Sequence, residues 1–189
     1  MKRLSLIVVC FLLSWSACAV EVEGVQLSEK LNVGDHDLVL NGAGVRTRFV
    51  FLDMYVAALY LAEKQGSSDA ILASNGEKRM ALHMLSDVSS ETLSKSFYRT
   101  IALNLTPAEL AALDVQLKQL GVLFGMMSEA TKGDVITMNY LPGRGTEINF
   151  NDVTIGVIEG AAFNSALLRV WLGIKPVQDG LKKKLLGGQ

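Results

Sequence analysis

Two arginines enter the most apolar stretch of the chain. Arg46 and Arg48 lie at the beginning of the segment 45–62, which is rich in phenylalanine, valine, leucine and tyrosine. In a regular strand both side chains share a face with Met54. A buried guanidinium must find an acceptor, because an unpaired buried charge is strongly destabilising. That acceptor is an internal carboxylate, solvent at a sheet edge, or an acidic ligand, whose carboxylate the planar guanidinium binds through two parallel hydrogen bonds.

Other residue types that could do chemistry give weaker signals. His36 lies in a turn-like segment and His83 in a strand pattern, and neither has a second ligand at metal-binding spacing. The nucleophile motif Gly-x-Ser-x-Gly is absent. Gly143-Arg144-Gly145 lacks the Lys-Ser/Thr pair of a phosphate loop, so it indicates a hairpin turn. We therefore expect no metal and no cofactor. A Ser-His-Asp arrangement in space is an open alternative that the sequence does not support.

The first 19 residues have the pattern of a secretory signal peptide. The basic pair Lys2-Arg3 precedes an apolar run, Leu4 to Leu13, that is too short to span a membrane. Ala17-Cys18-Ala19 then predicts cleavage after Ala19, which leaves a domain of residues 20–189 in the periplasm or outside the cell. Lipid attachment at Cys18 is the less favoured alternative, since Trp15 stands where such sites usually have leucine.

The composition of the remaining chain excludes several classes of protein. Without Lys2 and Arg3 the chain has 16 basic against 19 acidic residues, a net charge of −3, so no basic field is present for nucleic acid. Both cysteines, Cys10 and Cys18, fall in the removed segment, so we expect neither a disulfide nor a thiolate site. No later stretch is apolar for long enough to form a second membrane span.

The hydrophobic pattern predicts strands, a helical middle, more strands and terminal helices, which is typical of an α+β domain with an antiparallel sheet. Strands are expected over 25–33, 37–41, 45–62 (with a bend or bulge near Leu52-Asp53), 78–85, 134–141, 146–150 and 153–158. Helices are expected over 67–74, 93–105, from Thr106 onward, 161–172 and from Pro176. Thr106-Pro107-Ala108-Glu109 has the pattern of a capped helix start.

Two blocks of sequence resemble the chalcone isomerase superfamily, in particular its bacterial secreted chalcone isomerase-like branch. The first is Asn41-Gly42-Ala43-Gly44-Val45-Arg46, followed by Tyr55-Val56-Ala57-Ala58-Leu59-Tyr60-Leu61. The second is the segment 166–173, followed by Lys175-Pro176-Val177 and the segment 181–187. The resemblance implies an open-faced β-sandwich, in which a layer of helices covers a large antiparallel sheet and a ligand cleft lies between them. The family includes plant isomerases that close a chalcone to a flavanone, fatty-acid-binding proteins of plastids, and non-catalytic relatives.

The family arginine falls on Arg46, where it would stabilise an oxyanion in an isomerase or hold a carboxylate in a fatty-acid binder. The other polar positions of the isomerases transfer poorly. The sheet threonine falls near Tyr55 or Val56, two helical positions fall approximately on Leu93 and Thr100, and the late threonine or serine falls on Val170. The candidate ligand-binding residues are Arg46, Tyr55, Tyr60, Phe97, Thr100 and Val170.

Three functions fit these residues. The first is a non-catalytic periplasmic protein that binds a fatty acid or similar amphipathic carboxylate at Arg46, with the tail enclosed by the helices of Phe97 and Trp171. The second is an isomerase, an intramolecular lyase acting on a phenolic enone, with Arg46 as its candidate catalytic residue. The third is an envelope module with an empty cleft, in which Arg46 pairs with an internal acid such as Glu159 or Asp152. A protein partner cannot be inferred from the sequence.

Overall fold

The structure is a computed structural model that describes residues 19–48 and 51–188. The proposed signal peptide, with both cysteines, lies outside the described residues apart from Ala19. The strands are β1 Ala19–Val22, β2 Val25–Ser28, β3 Lys30–Val33, β4 His36–Arg48, β5 Leu52–Leu61, β6 Lys78–Met84, β7 Val88–Ser89, β8 Glu129–Ala130, β9 Val135–Leu141, β10 Gly145–Phe150 and β11 Val153–Ile158. The helices are α1 Ser68–Ala73, α2 Ser90–Leu103, α3 Pro107–Ala112, α4 Asp114–Met126, α5 Ala161–Leu172 and α6 Asp179–Leu185.

A seven-stranded antiparallel sheet, in the order β11-β10-β9-β6-β5-β4-β3, forms the centre of the described chain. Side chains alternate between its faces, as β5 illustrates. Tyr55, Ala57 and Leu59 belong to the larger core, against the helices, whereas Val56 and Tyr60 belong to a second core on the opposite face. The hairpin of β1 and β2 contributes Leu27 to that second core. The α+β class and the open-faced sandwich are thus confirmed.

Aromatic side chains hold the helical layer on the sheet. The Phe97 ring of α2 stacks edge-on against Phe124 of α4 and Trp171 of α5, with centroids 5.1 and 5.2 Å apart. All three side chains are fully buried. Such edge-to-face contacts add to the free energy of apolar burial and fix the relative positions of the helices. The interior between sheet and helices is consequently filled by protein side chains.

The Asn-Gly-Ala-Gly segment of β4 receives helix α6. Asn41 donates its side-chain amide to the Leu185 carbonyl at 2.7 Å and to the Gln65 carbonyl at 3.1 Å. A Cβ atom at Gly42 would lie 2.1 Å from the Lys184 carbonyl oxygen. Only glycine allows two backbones to approach so closely. The first half of the family-like motif therefore packs α6 on the sheet, and it positions the chain that precedes α6.

Three expectations about local structure were wrong. The segment 45–62 is not one strand but parts of β4 and β5, which pair antiparallel. The sequence between them, Phe49-Val50-Phe51, contains no glycine, proline or asparagine to indicate a turn. The helix that begins after the Thr106 cap breaks at Leu113 into α3 and α4, although its leucines continue the helical spacing. The last helix begins at Asp179 rather than at Pro176.

Candidate functional site

Arg46 lies directly opposite Tyr55 in the antiparallel pairing of β4 and β5. Immediately beyond this pair the register shifts, because Thr47 pairs with Asp53 and leaves Met54 as an extra residue. This is a β-bulge, which re-aims the side chains on either side of it. Through it, Arg46, Arg48 and Met54 all line one cavity at the end of the two strands. The expected bulge near Asp53 is therefore confirmed, and it lies in the antiparallel pair of β4 and β5.

Arg46 is half-buried, and its hydrogen bonds within the described part of the chain all go to neutral groups. Its Nη1 donates to the Thr47 carbonyl and, over 3.4 Å, to the side-chain oxygen of Gln178. The same Gln178 oxygen accepts the Thr47 backbone N–H at 3.0 Å. Within residues 19–48 and 51–188, no carboxylate lies within ion-pair distance of Arg46. Since a guanidinium carries five N–H donors, most of its hydrogen-bonding capacity remains available.

The acids considered as internal partners of Arg46 lie elsewhere. Glu159 lines a separate cavity beside Tyr140 and Gly145. Asp152 is in the turn between β10 and β11, where its charge acts on Arg79. The structure thus contradicts the pairing of Arg46 with either carboxylate. The hypothesis of an envelope module with an empty cleft relied on such a pair.

A cavity of about 500 Å³ lies beside Arg46. Its walls come from the ends of β4 and β5, from one side of α2, and from the segment between α5 and α6. Five of the lining side chains are cationic, namely Arg46, Arg48, Lys95, Arg99 and Lys175. The others are hydroxyl-bearing or apolar, namely Thr92, Ser96, Thr100, Met54, Leu103, Pro176 and Val177. None of the described lining residues is acidic, so the cavity is suited to an anion with an apolar part.

Tyr55 lies beneath this cavity and is fully enclosed. Its hydroxyl oxygen accepts the indole N–H of Trp171 at 3.2 Å. Burial raises the pKa of Tyr55 to about 12, and both the Trp171 hydrogen bond and the charge of Arg46 act in the opposite direction. The phenol therefore stays protonated at neutral pH. It supports the floor under Arg46 and is not itself part of the cavity lining.

The remaining candidate residues are divided by the fold. Thr100 lines the cavity, and its hydroxyl donates to the Ser96 carbonyl at 2.8 Å. Phe97 and Val170 are completely buried in the core below. Tyr60 lies on the opposite face of the sheet, so the structure does not bring it to Arg46. Of the candidate residues, Arg46 and Thr100 thus line the cavity. Tyr55, Phe97 and Val170 are buried in the core and do not line it.

Sequence reasoning missed most of the cationic lining. Lys95 and Arg99 lie on α2 on the same side as Thr92 and Ser96, three and four residues apart. This polar stripe could have been found by applying helical spacing to the hydrophilic residues of the predicted helix. The expectation that the side chains of the Phe97 and Trp171 helices enclose the ligand tail is wrong in part. Phe97 and Trp171 pack against each other, and the cavity beside Arg46 has several cations in its lining.

A seven-stranded antiparallel sheet with helices on one face and a cavity at the sheet–helix boundary defines the open-faced β-sandwich class. Residues 19–187 match the sequence profile of the chalcone isomerase-like family, and the chain belongs to that family. Among solved structures, it is similar to an Arabidopsis thaliana fatty-acid binding protein, AtFAP1. The two share 15% identity at a TM-score of 0.73, over 89% of this chain and 95% of the other. No curated protein matches the chain.

Among the described residues, no helix has both the length and the apolar character that crossing a membrane would require.

Proposed function

We propose that this protein is a non-catalytic binding protein for a fatty acid or similar amphipathic acid, whose anionic head lies at Arg46. The observation that carries the proposal is the half-buried guanidinium, which has no described carboxylate partner and opens on a cavity of about 500 Å³. This size falls within the range of roughly 300–1,000 Å³ that small-molecule sites occupy. The fold that this chain shares with a fatty-acid binding protein supports the same ligand class.

The apolar part of the ligand would contact the uncharged wall of the cavity. Met54, Leu103, Pro176 and Val177 supply that wall, at the side where α2 faces the segment between α5 and α6. Each methylene removed from water contributes about 0.8 kcal/mol. The affinity should therefore rise with chain length until the cavity is full, and the length at which it stops rising measures the available space.

Binding of saturated fatty acids of increasing length, measured by calorimetry, tests the proposal. Native mass spectrometry of protein purified from cells should also show an acidic lipid that co-purifies. Arg46→Gln should weaken fatty-acid binding by about tenfold or more, because a hydrogen bond to a charged group contributes about 1.5–3 kcal/mol. Arg144→Gln is the matched control, since Arg144 is exposed and pairs with Glu147 in the β9–β10 turn. Equal affinity of both variants for fatty acids, or no binding by the wild type, would overturn the proposal.

We also propose that the protein acts in the periplasm or outside the cell, after removal of residues 1–19. The support is the sequence pattern of the basic pair, the apolar run and Ala17-Cys18-Ala19. Intact mass and N-terminal sequencing of the exported protein should give Val20 as the first residue. A mass that retains a lipid-modified Cys18 at the N-terminus would instead identify a lipoprotein.

A further inference from the structure

The cavity beside Arg46 has more positive charge than one carboxylate can balance. Arg99 and Lys175 both line it, and neither has a side-chain hydrogen bond or ion pair within the described residues. Lys95 pairs with Glu91 at 2.5 Å, but both side chains are about three-quarters exposed, so solvent weakens that pair. Cations that face one another across a cavity repel, and a bound anion relieves the repulsion in proportion to its charge.

We propose, building on the function above, that the headgroup bound at Arg46 is a phosphate monoester with two negative charges, held between Arg46, Arg99 and Lys175. These three cations come from three elements, β4, α2 and the segment between α5 and α6. A headgroup between them therefore meets positive charge from several directions. A monocarboxylate would balance the charge of Arg46 and leave the charges of Arg99 and Lys175 unbalanced within the described lining.

The neutral groups of the cavity also suit a phosphate. A phosphate monoester offers three terminal oxygens as hydrogen-bond acceptors, where a carboxylate offers two. The hydroxyls of Thr92 and Ser96 are on the same side of α2 as Arg99. Thr92 accepts the Ser89 hydroxyl at 2.9 Å, which leaves its own proton for a ligand. Arginine binds phosphate through its planar fork and lysine as a point charge, so this set of donors matches a tetrahedral dianion.

Four probes of matched structure test the inference with the full chain. They are three amphiphiles, namely dodecyl phosphate, its methyl diester and dodecanoate, together with inorganic phosphate. All are titrated by calorimetry, the amphiphiles below their critical micelle concentrations. Dodecyl phosphate and its methyl diester share a phosphorus centre and differ by one charge, and dodecanoate has a comparable tail. We expect dodecyl phosphate to bind about tenfold more tightly than either monoanion, which corresponds to about 1.4 kcal/mol. Raising the salt concentration should reduce that difference.

Each result has a distinct meaning. If dodecanoate binds as tightly as dodecyl phosphate, the phosphate headgroup is overturned while fatty-acid binding stands. If none of the three amphiphiles binds, both proposals fail. If inorganic phosphate binds as tightly as dodecyl phosphate, phosphate recognition is supported, and the amphipathic ligand, and with it the proposed function, is overturned.

Two surface substitutions test which side chains hold the headgroup. Arg99 and Lys175 are exposed on the cavity rim, so Arg99→Gln and Lys175→Gln should fold as the wild type does. Each substitution should lower the affinity for dodecyl phosphate by about fivefold or more, and should lower the affinity for dodecanoate by less. Arg144→Gln is again the control. Unchanged affinity for dodecyl phosphate in both rim variants would overturn the assignment.

Discussion

Arg46 and Tyr55 form a directly opposed cross-strand pair, one residue before a β-bulge that separates the sheet core from the cavity. Below the pair, the Tyr55 hydroxyl and the Trp171 indole close the interior. Above it, the guanidinium reaches the cavity and the Gln178 side chain. The pair thus lies at the boundary between the packed core and the cavity, and the two residues have different surroundings despite their proximity.

Replacing Tyr55 by phenylalanine should lower stability without removing ligand binding. The change leaves the buried indole N–H of Trp171 without its acceptor, which costs about 1–2 kcal/mol in the free energy of unfolding. Because Arg46 and the cavity lining are unchanged, fatty-acid affinity should stay within about threefold of the wild type. Urea denaturation and calorimetry measure the two effects. A large loss of affinity with normal stability would instead place Tyr55 in the binding site.

The same variant should change the response of stability to alkaline pH. The pKa of Tyr55 is about 12 in the folded protein against 10.0 ordinarily, so the native state holds the phenolic proton more tightly than the unfolded chain. That contribution to stability is fully present below pH 10.0 and is lost as the pH rises towards 12. The stability difference between wild type and Tyr55→Phe should therefore narrow over this window. A constant difference would contradict the raised pKa.

Much of the fold could be predicted because local and periodic signals agreed. The Thr106 capping box, the helix 161–172 and the hairpin around Asn151-Asp152 all appear where the sequence indicates them. Asn151 and Asp152 adopt positive φ angles of 48° and 64°, which asparagine and aspartate tolerate better than most residues. Such features depend on residues that are close in sequence, so the sequence alone can predict them.

The site was less predictable, because it depends on contacts between distant segments. The sequence predicts that Tyr60 binds the ligand together with Arg46. The chain reverses between β4 and β5, however, and Tyr60 lies on the opposite face of the sheet. Lys175 reaches the cavity from a segment more than a hundred residues away from Arg46 in sequence. Neither feature has a local sequence pattern that predicts it. The strand reversal lacks turn residues, and the lysine is distant in sequence from the rest of the site.

Gly42→Ala should destabilise the protein by displacing α6. The added Cβ would lie 2.1 Å from the Lys184 carbonyl oxygen and 2.7 Å from that of Leu185, both of which are backbone atoms. We expect a loss of roughly 1–3 kcal/mol in the free energy of unfolding. Gln178, which bonds Arg46, immediately precedes α6, so ligand affinity should fall as well. Thermal unfolding and calorimetry measure the two effects.

Gly121→Ala is the matched control for that substitution. Gly121 lies within α4, and a Cβ there would meet no atom within 4 Å. Alanine in a helix interior is favoured over glycine by roughly 0.5–1 kcal/mol, so this variant should be slightly more stable than the wild type. If both variants lose stability equally, close packing at Gly42 is not the cause.

Lys78 should make stability rise with pH in the mildly alkaline range. Its ammonium group donates to the carbonyls of Ser74 and Gly76 and lies over the Tyr140 ring. Burial nevertheless lowers the pKa of Lys78 from 10.5 to about 8. Between these values the unfolded chain holds a proton that the native state does not, so stability increases as the pH rises. Relative to Lys78→Met, the wild type should therefore gain stability across this window. Urea denaturation at several pH values measures the difference in unfolding free energy between the wild type and Lys78→Met. A difference that stays constant with pH would contradict the prediction.

A hydroxylated chalcone should cyclise no faster with this protein than in buffer. Of the positions that the family resemblance assigns to the isomerase reaction, Leu93 and Val170 are buried and apolar. Thr100 donates its hydroxyl proton to the Ser96 carbonyl, so it cannot also donate to a substrate. Tyr55 is buried and does not line the cavity, so Arg46 is the one assigned position that can stabilise the developing oxyanion. Charge stabilisation without general acid–base groups at the other assigned positions leaves the proton transfers uncatalysed. Loss of chalcone absorbance measures the rate, with Arg46→Gln at equal concentration as the control. A wild-type rate that exceeds both the rate in buffer and the rate with the variant would identify an enzyme. A binding protein that only sequesters the chalcone would not cause a continuous loss of absorbance with time.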